Sequence, residues 1–223
     1  MPQKPASPSF DRELLSATKR GDRPAAIAAI ERGARPGCRN HENRTPLMLA
    51  AERRSLDLAI LLLPLSDASA KDKGGWTALM SASRALSLPI VELILRDAPD
   101  SGSPRATNSG GLNALTMACI GGFDQGVLAL LPFGGADART VKGLDPLMLC
   151  ALGGHIGCAR LLLPSSDLGR RDLAGRDAAA IADEKGHAAI ALLIRSERAL
   201  RERLEIELSA GASKGPEAAP PRL

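Results

Sequence analysis

The chain has 223 residues, a formal net charge of +4 at pH 7 and 44% hydrophobic residues, so wholesale disorder is excluded. Aromatic residues make up only 2%, which disfavours sandwiches and barrels, whereas abundant Ala and Leu favour closely packed helices. The positive surplus is spread along the chain, and this argues against nucleic acid as a partner.

The N-terminal residues 1–9 are rich in Pro and Ser, and we expect them to be disordered. They lack the apolar run of a signal peptide, and no stretch approaches the ~18 apolar residues that a membrane span needs. We therefore expect a cytoplasmic protein without membrane insertion. The cysteines form no CxxC pair and do not combine with His at ligand spacing, so we expect buried, reduced thiols and neither metal nor cofactor. These cysteines are Cys38, Cys119, Cys150 and Cys158.

A seven-residue phrase recurs along the chain. Its copies begin at Thr45, Thr77, Asn113, Asp145 and Asp177. Successive copies start 32, 36, 32 and 32 residues apart, and we interpret residues 101–104 as the insertion behind the long interval. Each copy opens with a side chain that caps helix N-termini, and two copies carry Pro at the first helical position. Each copy therefore predicts the start of a short helix.

A Gly or polar break follows each phrase, and a second apolar helix follows the break. These second helices are predicted at 58–63, 90–95, 127–131, 158–163 and 190–194. Gly- and Asp-rich turns then lead to the next copy, and residues 14–30 read as a first repeat. We expect six repeats over 10–209, followed by a disordered tail at 210–223. Their approximate bounds are 10–40, 41–71, 72–107, 108–139, 140–171 and 172–209.

The recurring phrase resembles the ankyrin repeat. TPLMLAA at 45–51 stands where that family has TPLHxAA, and Gly-His at 154–155 and 186–187 matches its break between helices. The residues of the recurring phrase are similar to those of ankyrin-only families with a TPLM or TALM variant of the motif. The resemblance implies an all-α ankyrin-repeat solenoid of about six helix-turn-helix repeats with projecting turns. The family His ties neighbouring turns, so its replacement by Met48 and Met80 predicts weaker ties.

The resemblance implies a non-enzymatic module that binds another protein. We find no phosphate-binding loop, zinc-protease motif or serine-hydrolase elbow, so no catalytic residues are expected. The predicted function is an adaptor, scaffold or inhibitor that binds its partner through the concave face and turn tips, and we expect a monomer. The alternative is a structural, cytoskeleton-associated assembly component that stacks with its own copies. A C-terminal helix with its charged face outward would seal the stack and argue against that alternative.

The resemblance also places candidate contact residues in the turns and at the ends of the first helices. In the turns these are Arg44, Lys73, Trp76, Leu112, Leu144 and Arg176, and at the helix ends Lys19, Arg20, Arg53 and Arg84.

Two hypotheses follow from these positions. Trp76, Leu112 and Leu144 are predicted to form an exposed apolar stripe across three tips, in which Trp76 is either a binding anchor or a structural brace. The basic helix-end residues are predicted to stack at one edge of the concave face. There they either meet an acidic peptide or form a solvated rim.

Overall fold

The computed structural model describes residues 8–98 and 104–212, with backbone alone for 210–212. This part of the chain contains twelve α-helices and no β-strand. The helices are α1 (Pro8–Arg20), α2 (Arg23–Glu31), α3 (Pro46–Glu52), α4 (Leu56–Leu62), α5 (Ala78–Arg84), α6 (Leu88–Asp97), α7 (Ala114–Ile120), α8 (Asp124–Leu130), α9 (Pro146–Gly153), α10 (Ile156–Leu162), α11 (Ala178–Glu184) and α12 (Ala188–Ala212). Short 3-10 turns extend α4, α8 and α10.

The helices pack as six consecutive pairs, and the pairs stack in chain order. Each odd-numbered helix contacts the next odd-numbered helix, and each even-numbered helix contacts the next even-numbered one. Because a single pair cannot bury its apolar side chains alone, stacking creates one continuous core. The predicted all-α solenoid of six helix-turn-helix repeats is confirmed. No described helix is both long enough and apolar enough to cross a membrane.

The recurring phrase forms the first helix of repeats two to six, as predicted. In all five helices the opening residue accepts a hydrogen bond through its side chain from the amide N–H three residues later. Pro46 and Pro146 fill the first helical position, where an amide N–H has no helical partner. Small residues such as Ala50, Ala82 and Ala118 are fully buried, so the first helices can approach one another closely.

The chain ends differ in detail from the predicted boundaries. Helix α1 begins at Pro8, so Pro8 and Ser9 are helical, although the sequence places them in a disordered segment. Helix α12 continues to Ala212, three residues into the predicted tail. Residues 1–7, 213–223 and most of the interpreted insertion lie outside the described part of the chain.

Helix α12 closes the stack with two of its arginines, Arg198 and Arg201, facing inward. Arg201 bonds the Glu197 carboxylate at 2.9 Å and donates to the Ser166 carbonyl at 2.8 Å, and Arg198 bonds Asp177 at 3.0 Å. Carbonyls near the end of α10 would otherwise lack partners, so the guanidinium groups cap them. The outer surface of this helix is charged only in part, because exposed Arg195, Glu202 and Arg203 alternate there with leucines such as Leu200.

Candidate functional site

Five projecting turns share one hydrogen-bonding plan. The first residue of each turn accepts, through a side-chain oxygen, the amide N–H groups two and four residues later. The turns begin at Asn40, Asp72, Asn108, Thr140 and Asp172. The fourth residue of every turn has positive φ, and it is Gly in all turns except the first. This plan holds the fifth residue at the same place in each repeat.

Backbone hydrogen bonds join each turn to the next. The Lys73 amide donates to the Glu42 carbonyl at 3.0 Å, and equivalent bonds of 3.0–3.1 Å link the remaining three neighbouring pairs. The loss of the family His predicts weaker ties between turns, but these bonds need no side chain. The sulfur of Met48 instead accepts the amide N–H of Thr45 within one repeat. The tips therefore form a connected row.

The turn residue and the helix-end residue of one repeat act as a pair. Arg44 contacts Glu52 at 2.8 Å, and Arg176 forms an ion pair with Glu184. In the repeat that contains Trp76, the helix-end residue is Arg84, and its guanidinium lies 5.2 Å from the centre of the Trp76 ring. The two kinds of position that the sequence singles out are thus brought together.

Two adjoining hollows lie on the first-helix side of the N-terminal half. Their volumes are about 650 and 460 Å³, and they share Glu42, Arg44 and Glu52. We call them together the N-terminal groove. It is lined by Leu15, Ser16, Lys19, Asn40, His41, Glu42, Arg44, Leu49, Glu52, Arg53, Arg54, Asp72, Trp76, Ser81, Arg84 and Ala85. Five of the predicted contact residues therefore share one surface.

The groove carries an excess of positive charge. Lys and Arg supply five of its side chains, and Asp and Glu supply three. Glu52 contacts both Arg44 and Arg84, the latter at 3.6 Å. Among the described residues, Lys19 and Arg53 have no ion-pair partner. These two cations are free to meet an acidic ligand.

The Trp76 side chain contacts Arg84 and its own turn, and other parts of its surface are accessible from the groove. Its ring lies beneath Arg84, and a Cβ atom built on Gly74 would approach the ring to 3.0 Å, so the ring also covers its own turn. The side chain is only partly buried and lines the groove. The geometry fits both the brace and the anchor hypotheses.

The predicted three-tip stripe is wrong at its third member. Leu144 is only 8% exposed and belongs to the hydrophobic core, whereas Leu112 is partly buried against that core. Burial of a leucine is favoured because it removes apolar surface from water. Exposed apolar side chains occur instead at Ile120 and Leu152, at the ends of two neighbouring first helices.

The other candidate residues lie away from the groove. Arg20 lines a separate hollow between α1 and α2 and donates to Ser16 at 2.6 Å. Lys73 is exposed at its tip. Arg176 bonds Asp172 at 2.7 Å within its own turn, and these bonds hold the pKa of Asp172 below its ordinary value.

Some surface residues were not singled out from the sequence. Arg54 lines the groove because it follows α3 in a left-handed conformation, with φ of 57°. Val141 and Leu173 are exposed at the second position of adjacent turns, and Leu173 is 80% exposed. Aligning the turns residue by residue would have revealed these two apolar side chains.

The four cysteines are buried and unpaired, as expected. A hydrogen bond with Cys150, together with burial, raises the pKa of Cys158, which also contacts the Asp124 carboxylate at 2.9 Å. Burial raises the pKa of Cys38 to about 11. The Cys38 and Cys158 thiols therefore remain protonated at neutral pH. Within residues 8–98 and 104–212, no cluster of His, Cys, Asp and Glu is arranged to hold a metal ion.

The stacked helix pairs and the connected tips define a helical repeat solenoid with a side open for recognition. A family model described as ankyrin repeats, in three copies, matches residues 14–105 and 100–172. The chain belongs to the ankyrin-repeat family. Ankyrin repeats are general, non-catalytic protein–protein interaction modules. None of the curated proteins matches the sequence.

Proposed function

We propose that this chain is a non-enzymatic adaptor, scaffold or inhibitor that binds a partner protein through the N-terminal groove and the neighbouring tips. The observation that carries the proposal is the Trp76–Arg84 pair, which lies in a groove with surplus positive charge. Aromatic and Arg side chains dominate the energetics of protein interfaces. Trp76 packs against the core but is only partly buried, and Arg84 is exposed, so both side chains present surface to a partner.

The groove favours a partner segment that carries carboxylates next to an apolar side chain. Lys19 and Arg53 supply unpaired positive charge at one end. Trp76 offers an aromatic surface, and Ile120 and Leu152 extend apolar surface along the first helices. Complementary charge raises the association rate, whereas the desolvated aromatic and apolar contacts supply affinity. The four free thiols favour a cytoplasmic location.

An affinity capture from the source cells tests this proposal. The groove variant is Arg53→Glu with Arg84→Glu, since both side chains are exposed. The matched control is Arg160→Glu, which makes the same kind of charge change on the exposed side of α10. Far-UV circular dichroism of all proteins checks that each variant is folded.

The outcomes separate clearly. A protein captured by the wild type and by the Arg160→Glu control, but lost with the groove variant, supports the groove. Equal capture by all three proteins overturns it and places binding elsewhere. Raising the salt concentration should weaken capture, because exposed charges are screened beyond a Debye length of about 8–10 Å.

A further inference from the structure

The last part of α12 projects beyond the stack. Arg201 makes the final hydrogen bonds to stack carbonyls, and residues 202–209 are all exposed. An isolated helix shorter than about 12–15 residues is marginally stable in water, and most helices gain stability by packing an apolar face. The projecting segment therefore lacks the packing that helices of its length ordinarily require.

Four leucines share one face of this helix. Leu193, Leu200, Leu204 and Leu208 are spaced by seven, four and four residues, which keeps them within about 80° of the helix circumference at 100° per residue. Leu193 packs against the core, whereas Leu200, Leu204 and Leu208 are 51%, 48% and 74% exposed. We call these three exposed side chains the leucine stripe.

We propose that two copies of the chain associate by antiparallel packing of the leucine stripe, with the two-fold axis at Leu204. This axis places Leu204 against its own counterpart and Leu200 against Leu208 of the partner subunit. The apolar spacing is the same on both sides of Leu204, so the stripe is complementary to itself. Isologous pairing of this kind closes after two copies and produces no open polymer.

Charge complementarity favours a second copy as the occupant. Arg203 and Glu207 lie on the same edge of the stripe, one helical turn apart, and neither has an ion-pair partner among the described residues. In an antiparallel two-fold pair each edge meets the same edge of the other helix. Side chains lean toward the N-terminus of their own helix, so Arg203 and Glu207 of the partner subunit lean toward each other.

Sedimentation velocity of the full chain over a concentration series tests the proposal. We expect the wild type to shift from monomer to dimer as concentration rises. Leu204→Glu should weaken association about tenfold or more, because it places two carboxylates at the centre of the interface. Glu207→Arg should also weaken association, whereas Arg203→Glu combined with Glu207→Arg should restore it. Glu202→Arg is the matched control on the other side of the helix and should associate like the wild type.

Two results would overturn the proposal. The first is a wild type that stays monomeric at all concentrations. The second is a wild type that dimerises and a Leu204→Glu variant that dimerises equally well, because the contact then lies elsewhere, for example at the exposed tips. Groove variants should leave the dimer unchanged, so this test is independent of partner binding.

Discussion

The guanidinium of Arg84 lies 5.2 Å from the centre of the Trp76 ring and 3.6 Å from the Glu52 carboxylate. A turn residue, the end of its own helix and the helix of the preceding repeat therefore meet at one point. Arg84 links a surface that a partner can reach to the contact between two repeats. Changes at this residue should affect both stability and recognition.

Replacement of Arg84 by Met should lower the free energy of unfolding by about 0.5–1 kcal/mol, the usual contribution of an exposed cation–π contact. Met keeps the aliphatic length but loses the charge above Trp76. Urea unfolding followed by circular dichroism measures the change without relying on Trp76 fluorescence. Arg53→Met is the control, because Arg53 makes no such contact, and it should stay within about 0.5 kcal/mol of the wild type. Equal stability of the two variants would remove the energetic role of the Trp76–Arg84 pair.

Two glycines at equivalent turn positions should respond differently to Ala. Gly111 and Gly175 have φ of 76° and 78°, so Ala costs about 1–2 kcal/mol of backbone strain at either site. A Cβ atom at Gly111 would also collide with the carbonyl oxygen of Arg139 in the next turn, whereas the space at Gly175 is open. Thermal and urea unfolding should therefore show a larger loss for Gly111→Ala. Equal losses would mean that the neighbouring turn moves aside without cost.

Asp145 should be replaceable by Asn with a gain in stability at neutral pH. Burial raises the pKa of Asp145, so its charged form destabilises the folded state above the ordinary pKa, and this cost disappears in acid. Asn113 caps α7 in the same way, so Asn keeps the cap. Urea unfolding at pH 7 should give Asp145→Asn a higher free energy of unfolding than the wild type. This difference should vanish below about pH 4. Asp145→Ala loses the cap and should cost about 1 kcal/mol.

The ion pair between Asp172 and Arg176 should contribute stability with the opposite pH dependence. Hydrogen bonds from Arg176 lower the pKa of Asp172 from its ordinary 3.8, so the contribution is present above that value and is lost as pH falls through the lowered one. Arg176→Ala should have a lower free energy of unfolding than the wild type at pH 7. This gap between the two free energies should close in strong acid. Urea unfolding at several pH values measures the gap. A gap of constant size across this range would show that Asp172 does not carry the effect.

The sequence predicts the helices well because their signals are local. A cap such as Thr77 or Asn113 and the break after each first helix act within a few residues, and their recurrence fixes the register of the stack. The inward arginines of α12 were not predictable in the same way. The partners of Arg201 include the Ser166 carbonyl, which lies 35 residues away along the chain.

The sequence predicted which residues occupy equivalent positions in the turns, but it did not predict how deeply each side chain is buried. Alignment of the repeats places Trp76, Leu112 and Leu144 at one equivalent position, and the shared turn plan agrees. Their exposure differs because each side chain packs against what the adjacent repeat provides, so Leu144 is buried while Leu112 is only partly so. The separation of Arg20 from Lys19 has a similar origin, since adjacent helical residues point about 100° apart.

The backbone bonds that tie neighbouring tips run from amide to carbonyl, and no side chain takes part in these bonds. Substitution at an exposed tip position such as Lys73, Val141 or Leu173 therefore leaves these ties in place. Such residues can drift over generations, or be randomised in a library, while the scaffold beneath them persists. A lineage built on this chain could exchange one partner for another by point changes alone, without first having to evolve a new fold.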